Sequence, residues 1–160
     1  MTRSDYLACY RDGLMNDTLP FWQRHCVDRE HGGFTIALDR DGTVIDRDKG
    51  MWQQCRFTWL LGKLYNTVEP REDWLELAQH GVDFIEQHGF DQTDGRMWFH
   101  VTREGQPIRK RRYAFTESFA AIAFAQFAKA TGSDRYAAKA LAACDAFANH
   151  VAPAKCTDAR

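Results

Sequence analysis

Hydrophobic positions along the 160-residue chain follow two kinds of helical pattern. Three segments repeat apolar residues every three or four positions and keep one polar face, which predicts amphipathic helices over about 4–18, 71–88 and 133–149. Two further segments, about 51–65 and 115–130, are apolar nearly all round, which is typical of helices buried on most sides. The alternation of the two kinds predicts an outer and an inner layer of helices, visited in turn.

The chain repeats itself at a shift of 63 residues without a gap. The copy that begins at Asp28 aligns with the copy that begins at Asp91. Each copy has alternating apolar residues, a turn made of an acidic residue and a glycine, and a second short strand. This order predicts a β-hairpin in which the glycine adopts positive φ. The turns are Asp41-Gly42 and Glu104-Gly105, and a buried helix follows each hairpin.

These elements predict an all-α fold with short β-hairpins, in which helical hairpins stack as a solenoid or toroid of about two and a half units. We expect residues 1–150 to form the helical part and residues 151–160 an irregular tail, because the sequence HVAPAKCTDAR has no helical period. Repeat architectures generally need about three units and capping ends. The open end therefore predicts a truncated or interrupted sequence.

The charge balance favours a small uncharged partner. A formal net charge of −1 and an isoelectric point near 6.6 lack the basic excess that binds nucleic acid or an anionic membrane. No apolar run approaches the roughly 20 residues that span a bilayer, and the first residues lack the apolar core of a signal peptide. We therefore predict a cytoplasmic protein that binds no nucleic acid and no membrane.

The spacing of cysteines and histidines predicts no metal site. The five cysteines are widely spread and never form a CxxC pair, which favours reduced thiols over disulfides or zinc. The six histidines show no HExxH or other ligand spacing. The basic run 109–112 has two interpretations, a nucleic-acid patch or a charged hairpin edge that discourages strand addition. The near-neutral chain favours the hairpin edge.

One helical face raises the main question about function. Trp52, Arg56 and Trp59 are spaced i, i+4 and i+7 in the first buried helix and therefore share a face. An unpaired buried guanidinium is costly, so Arg56 is expected to meet a carboxylate, carbonyl groups, water or a ligand. One alternative is an internal ion pair. The other is a sugar site, in which tryptophan stacks on the ring and the guanidinium holds its oxygens.

The second buried helix offers further candidates. The 63-residue shift places Phe115 at the position of Trp52, so the second repeat would supply another aromatic wall and no second cation. Glu117 is an isolated carboxylate in this apolar helix, and it is a candidate to bind a ligand or to pair with Arg56. Tyr113 precedes the helix. Its hydroxyl either reaches a cleft or contacts water while the ring packs in the core.

Residues 21–65 and 94–128 resemble the N-acylglucosamine 2-epimerases, which are similar to cellobiose 2-epimerases and aldose-ketose isomerases. The resemblance rests on DREHGGFTIALDRDGTVIDRDKGMWQQCRFTW in the first segment and DGRMWFHVTREGQPIRKRRYAFTESFAAIAF in the second. It implies an (α/α)6 barrel in which a sugar enters a central cleft lined by inner helices. Six units of the 63-residue period would complete such a barrel, so the chain is expected to be its N-terminal portion.

The resemblance also implies roles for individual residues. Trp52 and Arg56 match the family's sugar-site tryptophan and arginine, and Phe115 matches the aromatic residue at the start of the next inner helix. Tyr113 and Glu117 match motif positions, which makes them substrate-binding candidates. In the family, two histidines exchange the proton at C2 of the ring-opened sugar. That chemistry needs bases of near-neutral pKa and donors that hold the enediolate charge, and Arg56 suits the donor role.

No histidine in this chain matches those two, so we expect no turnover by the 160 residues alone. The resemblance implies a sugar 2-epimerase of the N-acylglucosamine type, which interconverts N-acetylglucosamine and N-acetylmannosamine when complete. One alternative is a mannose-type aldose-ketose isomerase, which moves the same proton between C2 and C1. Another is a non-catalytic helical module that binds a sugar or a protein through its open end. The resemblance implies no required cofactor and leaves room for a nucleotide effector and a homodimer.

Overall fold

The computed structural model describes residues 2–110 and 114–151 of the chain. Most of them lie in the helices α1 (Arg3–Gly13), α2 (Leu19–His25), α3 (Met51–Thr67), α4 (Glu72–His88), α5 (Phe115–Thr131) and α6 (Asp134–Val151). The strands are β1 (Ala37–Leu38), β2 (Val44–Asp46), β3 (Lys49–Gly50), β4 (His100–Val101) and β5 (Pro107–Arg109). The predicted helices and hairpins are therefore confirmed. Within the described ranges, no helix combines the length and apolar character needed to cross a membrane.

A continuous helical run forms the N-terminal part. Thr2 caps α1, since its hydroxyl accepts the Asp5 backbone N–H at 3.3 Å while the Asp5 carboxylate accepts the Thr2 N–H at 2.7 Å. A π-helical turn, Leu14–Thr18, joins α1 to α2. Pro20, which has no N–H to donate, follows in the first turn of α2, where proline is tolerated. The run is therefore longer than the predicted helix 4–18, because the π turn lets it continue past the proline.

Two hairpins precede α3 and α5 and connect the repeats. β1 pairs antiparallel with β2, and β4 pairs antiparallel with β5. At the two turns, Gly42 and Gly105 both have a φ of +88°, a conformation that glycine adopts without strain. β3 pairs with β4 of the second hairpin, with Lys49 opposite Val101. This pairing between repeats, which the sequence pattern did not predict, brings the second hairpin to the start of α3.

The core lies between the four longer helices. α3 packs against both α4 and α5, and α5 packs against α6, which matches two layers with α3 and α5 adjacent in one of them. A Cβ atom on Gly81 of α4 would lie 2.0 Å from the Thr58 hydroxyl of α3, so these helices approach closely because Gly81 has no side chain. Between α3 and α5, the Asn66 amide donates to the Gln126 carbonyl at 2.9 Å.

Large apolar side chains are exposed at both ends of this stack. α1 buries none of its residues and presents Leu7 and Tyr10 to solvent. At the other end, Ile122 of α5 and Leu141 of α6 are exposed. Exposed apolar side chains of this size often mark a surface that contacts another element or molecule. The described residues thus expose large apolar side chains on α1, α5 and α6.

Candidate functional site

The first inner helix carries the face that the sequence pattern singled out. α3 begins directly after β3, so Trp52 lies in its first turn, beside the hairpins. Trp52 and Trp59 are half-buried, whereas Arg56 between them is exposed. Arg56 is not buried in the core, because its side of α3 faces an open groove rather than a packed neighbour.

Arg56 has no carboxylate within ion-pair distance in residues 2–110 and 114–151. Its guanidinium carbon lies 5.8 Å from the centroid of the Phe119 ring, within the range of a cation–π contact. The internal ion pair, one of the two alternatives for this residue, is therefore absent from the described structure. The N–H donors of Arg56 remain for water or a ligand.

Trp52 meets aromatic residues of the second repeat. The Trp52 ring centroid lies 5.9 Å from that of Phe115 and 5.8 Å from that of Phe119, and the two phenylalanines are 5.0 Å apart. Aromatic pairs attract each other at these separations. Phe115 remains 49% exposed, so the cluster has a free side. We call Trp52, Phe115 and Phe119 the aromatic wall, and Arg56 lies against it.

An apolar groove lies beside the aromatic wall. It has a volume of about 430 Å³ and runs between α3 and the helical run that contains the π turn and α2. Leu14, Trp22 and Ile36 line it together with Trp52, and Arg56 supplies the charge among its described lining residues. Clefts that combine apolar walls with few polar groups are usual sites for small molecules. The groove thus joins an aromatic surface to one guanidinium.

Glu117 is buried and binds the hairpin of its own repeat. Its Oε1 accepts a hydrogen bond from Arg96 Nε at 2.7 Å and another from the Met97 backbone N–H at 3.1 Å. The ion pair of Glu117 is therefore with Arg96 and not with Arg56. Through these contacts the carboxylate holds the chain that leads into β4 against α5.

Gln54 lies at the matching position of the first repeat and makes a similar contact. Its Oε1 accepts the Phe34 backbone N–H and its Nε2 donates to the Phe34 carbonyl, both at 2.7 Å. Phe34 is itself 63 residues before Met97, the partner of Glu117. Both repeats therefore fasten their hairpin to the inner helix in the same place. Sequence reasoning missed this role, although the 63-residue shift that relates the two positions was a usable signal.

A buried ionic cluster joins the two repeats and was not predicted. Lys49 is fully buried, and its Nζ lies 3.0 Å from the Asp28 carboxylate and donates to the carbonyls of Gly32 and Arg103 at 2.6 and 2.7 Å. The Arg103 guanidinium makes two hydrogen bonds to the same carboxylate, at 2.8 and 3.1 Å. Each buried charge thus has a partner, as buried charges require. Arg103 belongs to the second hairpin, so the cluster spans both repeats.

The cluster shifts the ionisation of its members. Burial alone raises the pKa of the Asp28 carboxyl, but hydrogen bonds from Arg103, Lys49 and the His31 N–H outweigh it and hold that pKa well below its usual range. Burial lowers the pKa of Lys49, and the contact with Asp28 offsets part of this shift. The three oxygen acceptors around the Lys49 Nζ match the three donors of an ammonium group. The geometry therefore favours an ionised pair.

The corresponding aspartate of the second repeat, Asp91, forms a local and more exposed contact. Lys110 Nζ lies 2.5 Å from the Asp91 carboxylate and 2.8 Å from that of Asp94. The Lys110 ammonium, together with hydrogen bonds from Thr93, lowers the pKa of Asp91 to about 2. The partners of Asp91 come from its own repeat, whereas Asp28 also binds an arginine from the next one.

The described part of the basic run is engaged with its own hairpin. Lys110 Nζ lies 4.7 Å from the Trp98 ring centroid, and the Arg109 guanidinium lies 5.1 Å from that of Phe99. Cations over aromatic faces at these distances are attracted to the ring. The candidate Tyr113 and the two arginines before it lie outside the described residues.

The described structure has no cluster that suits a metal ion, and two of its four described cysteines are buried. Across residues 2–110 and 114–151, no group of three histidine, cysteine or acidic side chains could hold a metal ion. Cys26 and Cys55 are buried free thiols, and burial raises the pKa of Cys26 to about 12. Such thiols are unreactive at neutral pH because the thiolate is the reactive form.

The chain matches known proteins over most of its length. A family model described as N-acylglucosamine 2-epimerase matches residues 32–158. The N-acylglucosamine 2-epimerase of Mus musculus is 35% identical over 130 residues, which are 79% of this chain and 31% of that protein. A cellobiose 2-epimerase of Bacteroides fragilis is 27% identical over 120 residues, which are 74% of this chain and 30% of that protein. The chain spans about a third of the length of the curated relatives that it matches.

Solved structures give the architecture. The cellobiose 2-epimerase from Bacillus thermoamylovorans superposes with a TM-score of 0.80 at 24% identity, over 89% of this chain and 36% of that one. A D-mannose isomerase superposes with a TM-score of 0.77 at 19% identity, over 89% of this chain and 35% of that one. At these identities the likeness shows the fold alone. The helical hairpins of this chain form part of an (α/α)6 barrel.

Proposed function

Because the chain belongs to the N-acylglucosamine 2-epimerase family, we propose that it serves in the 2-epimerisation of a small uncharged sugar, with N-acetylglucosamine and N-acetylmannosamine as the pair. The groove beside α3 receives the ring-opened sugar. Residues 1–150 form the N-terminal part of the barrel domain and supply one side of its cleft.

The setting of Arg56 is the observation that carries this proposal. The guanidinium lies against the aromatic wall, at the side of an apolar groove, and has no acidic partner in the described part of the chain. Epimerisation at C2 of a ring-opened N-acyl sugar passes through an enolate, whose negative charge develops on the C1 oxygen, and fixed donors stabilise such a developing charge. Arg56 therefore holds the oxygen that gains negative charge when the C2 proton leaves.

The other site residues have separate roles in this proposal. Trp52 and Phe115 contact the apolar faces of the sugar, and Tyr113 is a further substrate ligand from the junction before α5. Glu117 was a substrate-binding candidate in the sequence, but its carboxylate is engaged with Arg96 and Met97. It therefore acts on the site indirectly, by holding the second hairpin in place.

Proton transfer needs groups that the groove does not supply. Inversion at C2 requires one base on each face of the planar enolate, with pKa values near the working pH. No histidine is among the described residues that line the groove. We therefore expect the 160 residues by themselves to bind sugar without turning it over.

Titration calorimetry with N-acetylmannosamine tests binding, and product analysis tests turnover. The Arg56→Ala variant should bind at least about 10-fold more weakly, because hydrogen bonds to a charged group are lost. Arg47→Ala removes an exposed arginine of the first hairpin that does not line the groove, so its affinity should equal that of the unmodified chain. Absence of binding, or equal affinity in both variants, would contradict the proposal. Formation of N-acetylglucosamine would overturn the claim of binding without turnover.

A mannose-type aldose-ketose isomerase is the second candidate, because a guanidinium beside the aromatic wall also suits its reaction. Mannose carries oxygen at C2, so its intermediate is an enediolate, and the proton returns to C1 instead of C2. An isomerase of this type has no need to accommodate an N-acyl group. Tighter binding of mannose than of N-acetylmannosamine by the 160-residue chain would favour this candidate over the first.

A further inference from the structure

A second pocket, polar in character, lies at the start of α3. It has a volume of about 260 Å³ and is enclosed by the first turn of α3, the end of the first hairpin and strands β4 and β5. Ile36, Trp52 and Gln53 line both this pocket and the apolar groove. The two cavities are therefore neighbours across the Trp52 ring, and one ligand could extend from one into the other.

The polar side chains around this pocket have hydrogen-bonding groups without protein partners. The side chains of Asp48, Gln53, His100 and Arg109 make no hydrogen bond or ion pair with any residue of the described structure. By contrast, two other carboxylates of the same region each accept a backbone N–H, Asp41 at 2.8 Å at the hairpin tip and Asp46, which also lines the pocket, at 3.1 Å. Donors and acceptors that are left open and converge on one cavity indicate a binding site rather than a structural network.

The charges of the pocket favour an uncharged ligand. Asp46, Asp48 and Arg109 all line it, yet no ion pair joins the carboxylates to the guanidinium in the described structure. Carboxylates accept the hydrogen of a hydroxyl and guanidinium groups donate to its oxygen, so the set suits a compound with several hydroxyls. Because the carboxylates outnumber the arginine, a phosphate or carboxylate on the ligand is repelled.

We propose that this polar pocket is a second sugar-binding subsite, which holds the hydroxyl-bearing end of the sugar that is remote from C2. The inference rests on the proposed function, because the groove must hold the reacting end. A sugar whose C2 lies near Arg56 passes the Trp52 ring and places its far hydroxyls at Asp48 and Arg109. The subsite therefore selects against sugars that carry a phosphate at the far end.

The test compares mannose with mannose 6-phosphate, titrated into the 160-residue chain by calorimetry. The unmodified chain should bind mannose more tightly than its phosphate. Asp48→Asn and Arg109→Gln should each weaken mannose binding by about 10-fold, the usual loss for one hydrogen bond to a charged group. Asp48→Asn removes a negative charge that repels the phosphate group, so it should narrow the preference for mannose over mannose 6-phosphate. Arg109→Gln removes a positive charge, so it should widen that preference. Asp41→Asn, at the hairpin tip and outside the pocket, serves as the matched control and should change neither affinity.

The outcomes separate this inference from the proposed function. If Arg56→Ala abolishes mannose binding while Asp48→Asn and Arg109→Gln leave both affinities unchanged, the subsite is disproved and the sugar-binding groove stands. If the preference for mannose over mannose 6-phosphate moves in the same direction in both pocket variants, the subsite is also overturned, because a loss of folding does not depend on the sign of the charge that was removed. If the unmodified chain binds neither sugar, the proposed function fails and the subsite fails with it.

Discussion

The first and second repeats hold their hairpins in the same way but present different side chains to the groove. Gln54 binds the backbone of Phe34, and Glu117 binds that of Met97, at positions related by the 63-residue shift. Two residues further along each helix, the first repeat carries a cation, Arg56, and the second a phenylalanine. The positions that support the backbone thus keep a polar acceptor, while the positions that face the groove diverge.

The repeats also differ in how their aspartates are paired. Asp28 is buried between Lys49 and Arg103, so it links the first repeat to the second. Asp91 pairs with Lys110 within its own hairpin. The junction between the repeats thus depends on a buried charge, whereas the described contact of Asp91 lies closer to solvent.

Removing the buried charge of Asp28 should have the largest effect on the stability of the fold. Asp28→Asn leaves Lys49 buried without a counter-ion, and breaking a buried pair in this way costs about 3–5 kcal/mol. The free energy of unfolding from urea denaturation measures the loss. Asp91→Asn should cost clearly less, because its partner Lys110 is partly exposed and can be hydrated. Equal losses of unfolding free energy in the two variants would show that the two aspartates contribute equally to stability.

Exchanging the amide and the carboxylate of the two inner helices should have unequal effects. Gln54→Glu replaces the donor that faces the Phe34 carbonyl with an acceptor and buries a charge, which should cost about 2–4 kcal/mol. Glu117→Gln keeps an acceptor for the Met97 N–H and loses the ion pair with Arg96, which should cost about 1 kcal/mol. Chemical denaturation of both variants checks the order. A more damaging Glu117→Gln would mean that its charge, and not its acceptor, supports the hairpin.

The turn glycines should give equal losses in the two repeats. A Cβ atom on Gly42 would lie 2.2 Å from the His25 ring, and one on Gly105 would lie 2.1 Å from the His88 ring. Alanine at either position combines positive φ with this clash and should cost about 2–4 kcal/mol.

Gly95 is the matched control for those turns. Its φ is also positive, at +70°, but a Cβ atom there would meet nothing within 4 Å. Gly95→Ala should therefore lower the free energy of unfolding only through the unfavourable positive φ of the alanine, by about 1–2 kcal/mol. Thermal unfolding of the three alanine variants measures the difference. A similar loss in all three would show that the histidine rings move aside.

The smallest expected effect is a dependence of stability on pH through His88. Burial lowers the pKa of His88, a hydrogen bond with the Gly105 backbone raises it in part, and the Lys49 charge lowers it further. Because the folded pKa lies below the unfolded value of about 6.5, the folded state binds fewer protons and stability falls as pH drops below about 6.5. Because the His88 ring is partly exposed to solvent, we expect this change in the free energy of unfolding to stay under about 1 kcal/mol.

Urea denaturation at pH 7.5 and pH 5.5 checks this dependence. The unmodified chain should lose more stability between the two conditions than His88→Gln, which cannot take up the proton. The same loss in both would assign the pH dependence to other groups.

Local patterns were enough to predict most of the fold. The apolar period placed both inner helices, and the acidic residue and glycine at 41–42 and 104–105 located the two turns, because positive φ selects for glycine locally. The pairing of β3 with β4 was beyond such reasoning, since it joins residues 49 and 101 and carries no local signal. Of the candidate site residues, Trp52 and Phe115 lie in contact, Arg56 is exposed, and Glu117 contacts its own hairpin. Whether they form a sugar site stays a prediction, because a helical period does not specify what a side chain binds.

The repeat period, the helices and the turns could be predicted from the sequence, because they follow from spacing along the chain. Which charges are buried and which remain free became clear from the packed structure. Asp28 and Arg103 are 75 residues apart and meet in a buried pair, while Arg56, placed between tryptophans, faces an open groove. Burial depends on what the rest of the chain brings to each side of a helix, and a helical period specifies the face of a residue but not what covers it.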